Sequence, residues 1–466
     1  MMGATLSRWT MSYFTAAILS LLVAEGLMAA GYGFPAAGLL APQTLLLVHL
    51  VALGWLSLLM CGALFQFVPV LIARPIHSDR LPLPALVLLI AGLVLLLCGF
   101  LHLSGLPVPG PNPLPWGGAL LLAGFAVVIY NLARTLWGAR PLALPARFVS
   151  VALACLAVTA VLGFLFTLVL SAASESIVLA GLAASGIPIH AAAGLAGWLT
   201  LTAMGVSYRL LAMFMLAPET LGWRTRIVFW AGTAALAVVI VLGIVLVLVE
   251  VSALPALLAG LVLGTIAAAL YGADIVQLYR KRRRPRIELN SRMASFAIMS
   301  FGLCVLLLLG LVAASASAER FASVVFLAAF GWLGGLGLAK LYKIVAFLTW
   351  LECYGPILGK KPTPRVQDLV IEPRARRWFI AYFAAVWLGT LALLLPQAAL
   401  YRASAAVMLL ATLAIAAELL RIRRLSDVGG ELRLPGVVAR PHLLFAVVPP
   451  PRPAAGAKPP TERPPR

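Results

Sequence analysis

The chain has 466 residues, of which 63% are apolar and only 11% are charged, and its formal net charge is +20. Soluble globular domains carry about 25% charged residues, so this composition excludes that class. The positive charge lies in short segments between long apolar stretches, a pattern typical of a membrane protein and not of a nucleic-acid-binding protein.

Long apolar stretches predict twelve transmembrane helices, because about 30 Å of hydrocarbon needs about 20 helical residues at 1.5 Å each. In chain order these stretches cover about residues 11–31, 43–72, 82–104, 116–137, 147–171, 185–216, 226–249, 253–279, 293–315, 321–351, 378–397 and 400–420. The expected fold is therefore all-α and polytopic, with a single twelve-helix transmembrane domain over residues 1–420.

The remaining residues, 421–466, are rich in Pro and Arg and contain the run Pro449-Pro450-Pro451. A segment of this composition cannot bury a hydrophobic core. We therefore expect a cytoplasmic and largely disordered tail.

Arg and Lys residues cluster in the loops after the even-numbered helices, and the densest cluster spans residues 280–286. By the positive-inside rule, these loops and both termini are cytoplasmic in a bacterial-type cytoplasmic (inner) membrane. Clusters of this kind bind anionic lipids. Anionic lipids are thus the expected partner of residues 280–286, and a nucleic-acid partner is not expected.

One tripeptide recurs in three of the predicted helices: Gly54-Trp55-Leu56, Gly197-Trp198-Leu199 and Gly331-Trp332-Leu333. The first glycines are separated by 143 and 134 residues (197 − 54 and 331 − 197). A small residue follows each glycine at the eighth position, and an aromatic residue at the eleventh. Recurrence at a nearly fixed period indicates internal repeats. It predicts three pseudo-repeated groups of four helices, at about 11–137, 147–279 and 293–420.

The tripeptide itself also has a purely structural interpretation. Small residues let membrane helices approach closely, so the glycine would form a contact face and the tryptophan would face lipid or the interface. Near the other ends of these helices, Arg209, Lys340 and Lys343 are expected to extend to the cytoplasmic headgroups. The alternative role for these three cations is contact with an anion or a propionate.

Four ionisable residues are predicted at the outer part of the membrane: Glu25, His49, His102 and His190. Ionisable groups inside a membrane are costly, which makes them candidate functional residues. Imidazole is a common metal ligand, and a carboxylate often orients its second nitrogen. His49 and His190 are therefore candidate haem or metal ligands, His102 is a candidate metal ligand, and Glu25 is the candidate partner of His49. The alternative is that each histidine is a hydrogen-bonded packing residue and that Glu25 is paired locally or protonated.

The residues from His49 to Leu81 resemble a helix and loop of subunit I of the haem–copper oxidases and of the related NnrS-type membrane proteins. The resemblance rests on a histidine followed by Gly62, Phe65 and Pro69. An Arg-Pro-x-x-Ser-x-Arg-Leu loop then follows at residues 74–81. By helix number, the resemblance implies that His49 is a haem ligand and His190 a copper ligand. By local motif, it implies that His49 and His102 are copper ligands.

The chain departs from the oxidase pattern at two places. The seventh helix has no histidine pair, and the tenth helix has Phe326 and no histidine. The resemblance therefore implies a relative that binds haem, copper or both without complete oxidase activity. It further implies a role in respiration, denitrification or nitric-oxide tolerance, with respiratory-chain subunits as candidate partners.

Two other classes of function stay open from the sequence. A transporter or channel for a small solute or a metal would place His49 and Glu25 at a gate. An assembly or scaffold subunit of a respiratory complex would bind no cofactor. Neither class has a distinctive motif in this chain.

Overall fold

The structure, a computed structural model, describes residues 8–107, 110–219, 222–433 and 441–445. Twelve helices in these ranges are long and apolar enough to cross a membrane, and no β-strand occurs within them. The prediction of an all-α polytopic membrane protein is confirmed. Most of the predicted tail lies outside the described residues.

The spans are α1 (Thr10–Ala30), α2 (Pro42–Ile72), α3 (Pro82–Leu103), α4 (Leu114–Trp137), α5 (Leu144–Leu170), α6 (Ile187–Met215), α7 (Trp223–Leu248), α8 (Leu254–Arg280), α9 (Leu289–Ala313), α10 (Ala318–Ile357), α11 (Glu372–Leu394) and α12 (Ala398–Arg423). A short helix that was not predicted, Ile177–Ser185, precedes α6. At nine residues it is far shorter than the about 20 needed to cross a bilayer.

The three helices that carry the tripeptide form the centre of the bundle. α2, α6 and α10 are the most buried of the twelve spans, and they contact one another around the tripeptides. The other spans surround them. Within each predicted group of four, the last two helices pack as a hairpin, and neighbouring groups meet at α4–α5, α8–α9 and α12–α1. The origin of these groups as internal repeats stays a prediction.

The tripeptide glycines allow close contact with the first helix of each group of four. A Cβ atom added to the glycine would lie within 3 Å of a small side chain on that helix. The three pairs are Gly54 with Ser20, Gly197 with Cys155, and Gly331 with Ser300. Because real Cβ atoms do not approach so closely, only glycine fits at each position. The predicted glycine contact face is confirmed.

We call the membrane face with the Arg- and Lys-rich loops the basic face. There, α10 is held by two ion pairs, Lys343 Nζ to Glu288 and Arg423 to Glu352, each at 2.8 Å. Burial raises the pKa of Glu288, but hydrogen bonds from Lys343 and Gln367 and nearby positive charges lower it more, so the net shift is downward. Lys343 therefore pairs with Glu288. The prediction that it extends to the headgroups was wrong.

Candidate functional site

The structure brings together two of the predicted ligands, His49 on α2 and His190 on α6. Their ring centres lie 6.5 Å apart and their planes differ by 30°. The ring of Phe100 is centred 5.1 Å from His49, and the ring of Phe166 is centred 5.5 Å from His190. The two imidazoles therefore form a half-buried polar pair with aromatic neighbours, at the ends of α2 and α6 opposite the basic face.

The hydrogen bond of His49 fixes which ring nitrogen is available. Nδ1 of His49 lies 2.7 Å from the carbonyl oxygen of Leu45. A carbonyl can only accept, so Nδ1 carries the proton and Nε2 is the unprotonated nitrogen. Histidines that bind metals are usually held in this way, with one nitrogen donating to a carbonyl or carboxylate and the other on the metal.

His190 also presents a nitrogen that the protein does not satisfy. Its Nδ1 atom is buried and has no hydrogen-bond partner among the described residues. A buried polar atom without a partner costs about 1–3 kcal/mol. Gly163 makes room for the ring, because a Cβ atom there would lie 3.1 Å from Cε1 of His190. The packing thus accommodates the ring, which also lies close to the backbone of Thr159.

The spacing of the two rings matches what one metal centre requires. Metal–imidazole bonds of about 2.0–2.1 Å place the centres of two opposed rings about 6 Å apart. The observed 6.5 Å is close to this separation. The separation of the two rings is therefore compatible with one shared metal.

The other two predicted site residues are not part of this pair. Glu25 is fully buried, and its Oε1 atom accepts a 3.0 Å hydrogen bond from Thr412 on α12. His102 lies half-buried at the end of α3. Across the ranges that the structure describes, no three His, Cys, Asp or Glu side chains are grouped so that they could hold a metal ion. The site therefore offers two protein ligands.

A layer of tryptophans lies next to the histidine pair, toward the basic face. Trp55, Trp198 and Trp332 are all buried, so the prediction that they face lipid or the interface was wrong. Nε1 of Trp198 donates to Ser57 Oγ at 3.1 Å, and Nε1 of Trp332 donates to Thr200 Oγ1 at 3.3 Å. These bonds tie α6 to α2 and α10 to α6.

Among the described residues, Trp55 does not make the corresponding indole hydrogen bond. Each hydroxyl acceptor comes three residues after a tripeptide glycine, and the residue at that position on α10 is Gly334. A Cβ atom there would lie 3.2 Å from Nε1 of Trp55, so the indole faces a position with no hydroxyl. Nε1 of Trp55 has no hydrogen-bond partner in the described part of the chain.

All three tripeptides lie on π-helical turns, at Leu50–Ser57, Ala192–Thr200 and Leu327–Gly334. Wide turns of this kind are rare and occur frequently at functional sites. These π-helical turns were not predicted from the sequence. The recurrence of the tripeptide was the only available signal, and it does not specify a helix type.

A cavity of about 80 Å³ lies between α2, α6 and α10 on the basic-face side of the tryptophans. Its walls are almost entirely apolar, and Lys340 is the one charged residue that lines it. Lys340 is only 8% exposed, so the prediction that it extends to the headgroups was wrong. Among the described residues, Nζ has no hydrogen-bond partner, and it lies 5.3 Å from the centre of the Phe214 ring.

The contact with the Phe214 ring does not offset the free energy cost of burying the Lys340 amine. A desolvated cation–π contact contributes about 2 kcal/mol, whereas burying an ion costs several kcal/mol. The protein therefore holds an incompletely satisfied amine in an apolar cavity.

These features define a multi-pass, all-α integral membrane protein with two polar positions along a central apolar axis. The chain matches no family model and no curated protein. The resemblance to the haem–copper oxidase and NnrS-type proteins stays a prediction.

Proposed function

We propose that this membrane protein binds a haem iron or a copper ion between His49 and His190. The observation that carries the proposal is the pair of imidazoles with ring centres 6.5 Å apart. The hydrogen bond from His49 to Leu45 supports it, because it leaves Nε2 free to bind.

The number of donors favours haem or copper over structural zinc. Structural zinc sites have four protein ligands, commonly Cys and His, and the described residues group no more than two candidate ligands here. A haem iron needs at most two axial protein ligands, and imidazole also suits copper. Either group supplies one-electron redox chemistry when it is bound. The protein orients the imidazoles, while Phe100 and Phe166 limit the access of water.

The resemblance suggests where such a protein would act. An oxidase-like scaffold with Phe326 on α10 serves respiration, denitrification or nitric-oxide tolerance without reducing oxygen at a binuclear centre. In this proposal the basic face is cytoplasmic, its 280–286 cluster contacts anionic lipids, and respiratory-chain subunits are its protein partners.

The test is to purify the protein in detergent from cells that are supplied with both iron and copper. The absorption spectrum and the iron and copper contents are then measured for the wild type, His49→Ala and His190→Ala. His102→Ala is the matched control, because this histidine lies outside the pair. We expect either single variant at the pair to lose at least about tenfold in metal or haem content, while His102→Ala keeps it. Colourless, metal-free wild-type protein would refute the proposal.

A small-solute transporter is the second candidate function. The observation that favours it is the cavity among the three central helices. A solute gradient across proteoliposomes that the purified protein dissipates would support this candidate. A gate formed by His49 and Glu25 has less support, because Glu25 is hydrogen-bonded to α12.

A further inference from the structure

The cavity next to Lys340 has a chemistry of its own, separate from that of the histidine pair. We propose that it is a binding site for a small, weakly hydrated monovalent anion, of which azide, nitrite and thiocyanate are examples. The inference does not depend on the binding of a metal or haem at His49 and His190.

The surroundings of the Lys340 amine give the first support for the proposal. Lys340 makes no salt bridge and its Nζ atom makes no hydrogen bond within the described ranges. The nearby carboxylate of Glu288 is already paired with Lys343 and Arg284. A lysine amine removed from water either loses its proton or is stabilised as an ammonium group by a partner of opposite charge, and the protein leaves the position of that partner open.

The apolar composition of the cavity wall gives the second support. The lining contains one other polar side chain, Ser207, and its hydroxyl is already hydrogen-bonded to the Met204 carbonyl and the Tyr271 hydroxyl. The remaining lining residues are apolar, Leu59, Leu336 and Ile344 among them. A strongly hydrated or multiply charged anion such as sulfate would lose its water without receiving enough donors. The wall therefore selects an anion that gives up water easily.

The volume of the cavity gives the third support. The cavity volume of about 80 Å³ is roughly half that of an engineered apolar cavity of about 150 Å³ that binds benzene. A volume of this size suits an anion of only a few atoms. One amine on the cavity wall matches one negative charge.

The experiment is a titration of the full-length protein in detergent with azide or thiocyanate, with sulfate at equal ionic strength as the reference. Binding is followed by calorimetry and by the shift in thermal unfolding temperature. We expect saturable binding of the monovalent anions and none of sulfate. Lys340→Met keeps the length of the side chain and removes the charge, and we expect it to weaken binding at least about tenfold.

Two further variants separate the amine from the volume. Ala203→Leu places a larger side chain at a lining position and leaves the amine in place, so it should also abolish binding. Lys281→Met removes an exposed cation that lies outside the lining, so it should retain binding. Without anion, Lys340→Met should unfold at the same temperature as the wild type or higher, because it removes a polar group from an apolar cavity. This result also shows that the variant is folded.

The proposal is overturned if the wild type binds no monovalent anion, or if Lys340→Met binds as tightly as the wild type. It is also overturned if His49→Ala abolishes anion binding while Lys340→Met preserves it, because the anion would then bind at the histidine pair. Equal anion affinity in the wild type and in His49→Ala supports the cavity as the site.

Discussion

The helices α2 and α6 differ from α10 in side chains while sharing a backbone. All three have the Gly-Trp-Leu tripeptide on a π-helical turn, and all three tryptophans are buried. However, α2 and α6 carry the histidines and the hydroxyl acceptors, whereas α10 has Phe326 and Gly334 at comparable places. In turn, α10 alone brings a buried lysine to the axis. The shared backbone thus acts as a scaffold, and the polar chemistry is divided between its helices.

The largest expected effect comes from truncating a side chain that all three helices share. Replacing Trp198 by Ala would leave a large void in the core, and buried Trp→Ala changes cost about 3–5 kcal/mol. Unfolding in detergent should show a similar loss for Trp55→Ala. Full stability of either variant would contradict the role of the tryptophan layer as the packed centre.

The next effect concerns the small residue eight positions after each tripeptide glycine, which is Gly205 on α6 and Ala339 on α10. A Cβ atom at Gly205 would lie 2.4 Å from Cβ of Phe148, so Gly205→Ala should cost about 1–3 kcal/mol by overpacking. Gly26→Ala on α1 is the matched control, because a Cβ atom there meets nothing within 4 Å. Thermal unfolding of both variants in the same detergent compares them. Equal stability of the two would show that α6 tolerates the residue that α10 carries.

A smaller effect distinguishes the indole N–H groups of Trp198 and Trp55. Trp198→Phe removes the buried hydrogen bond to Ser57, and such bonds in membrane proteins contribute about 0.6 kcal/mol on average. Trp55→Phe removes an N–H group that has no partner in the ranges that the structure describes, so it should cost nothing or stabilise the protein. Unfolding temperatures measured side by side give the comparison. A larger loss for Trp55→Phe than for Trp198→Phe would contradict the missing third bond.

The smallest expected effect is electrostatic and specific to the basic-face end of α10. The pKa of Glu288 is lower in the folded protein than its ordinary value of 4.5, so its ion pairs stabilise the fold above that pH and are lost as the pH falls below it. Glu288→Gln should therefore be less stable than the wild type at pH 7, by up to about 0.5 kcal/mol. The difference should shrink as the pH falls below 4.5. An unchanged difference across this range would rule out the carboxylate as its cause.

The sequence predicted the twelve spans well because a bilayer imposes a minimum length and an apolar composition on each helix. Glycine contacts were also predictable, since close helix approach requires small residues. The surroundings of Lys340 and Glu25 were not predictable in this way, because they depend on which side of each helix faces the centre. Lys340 looked like a residue that extends to the headgroups and instead lines the cavity. Likewise, the pairing of His49 with His190 and not with Glu25 follows from the contacts among helices far apart in the chain.

The most direct test of the central claim is to count the imidazoles on the bound metal. X-ray absorption or electron paramagnetic resonance of the metal-loaded protein, with ¹⁵N-labelled histidine in the resonance experiment, reports this number. We expect two imidazole nitrogens on the metal in the wild type, and one on any metal that His49→Ala or His190→Ala retains. A metal that keeps the wild-type number of imidazole ligands in either variant would contradict this expectation.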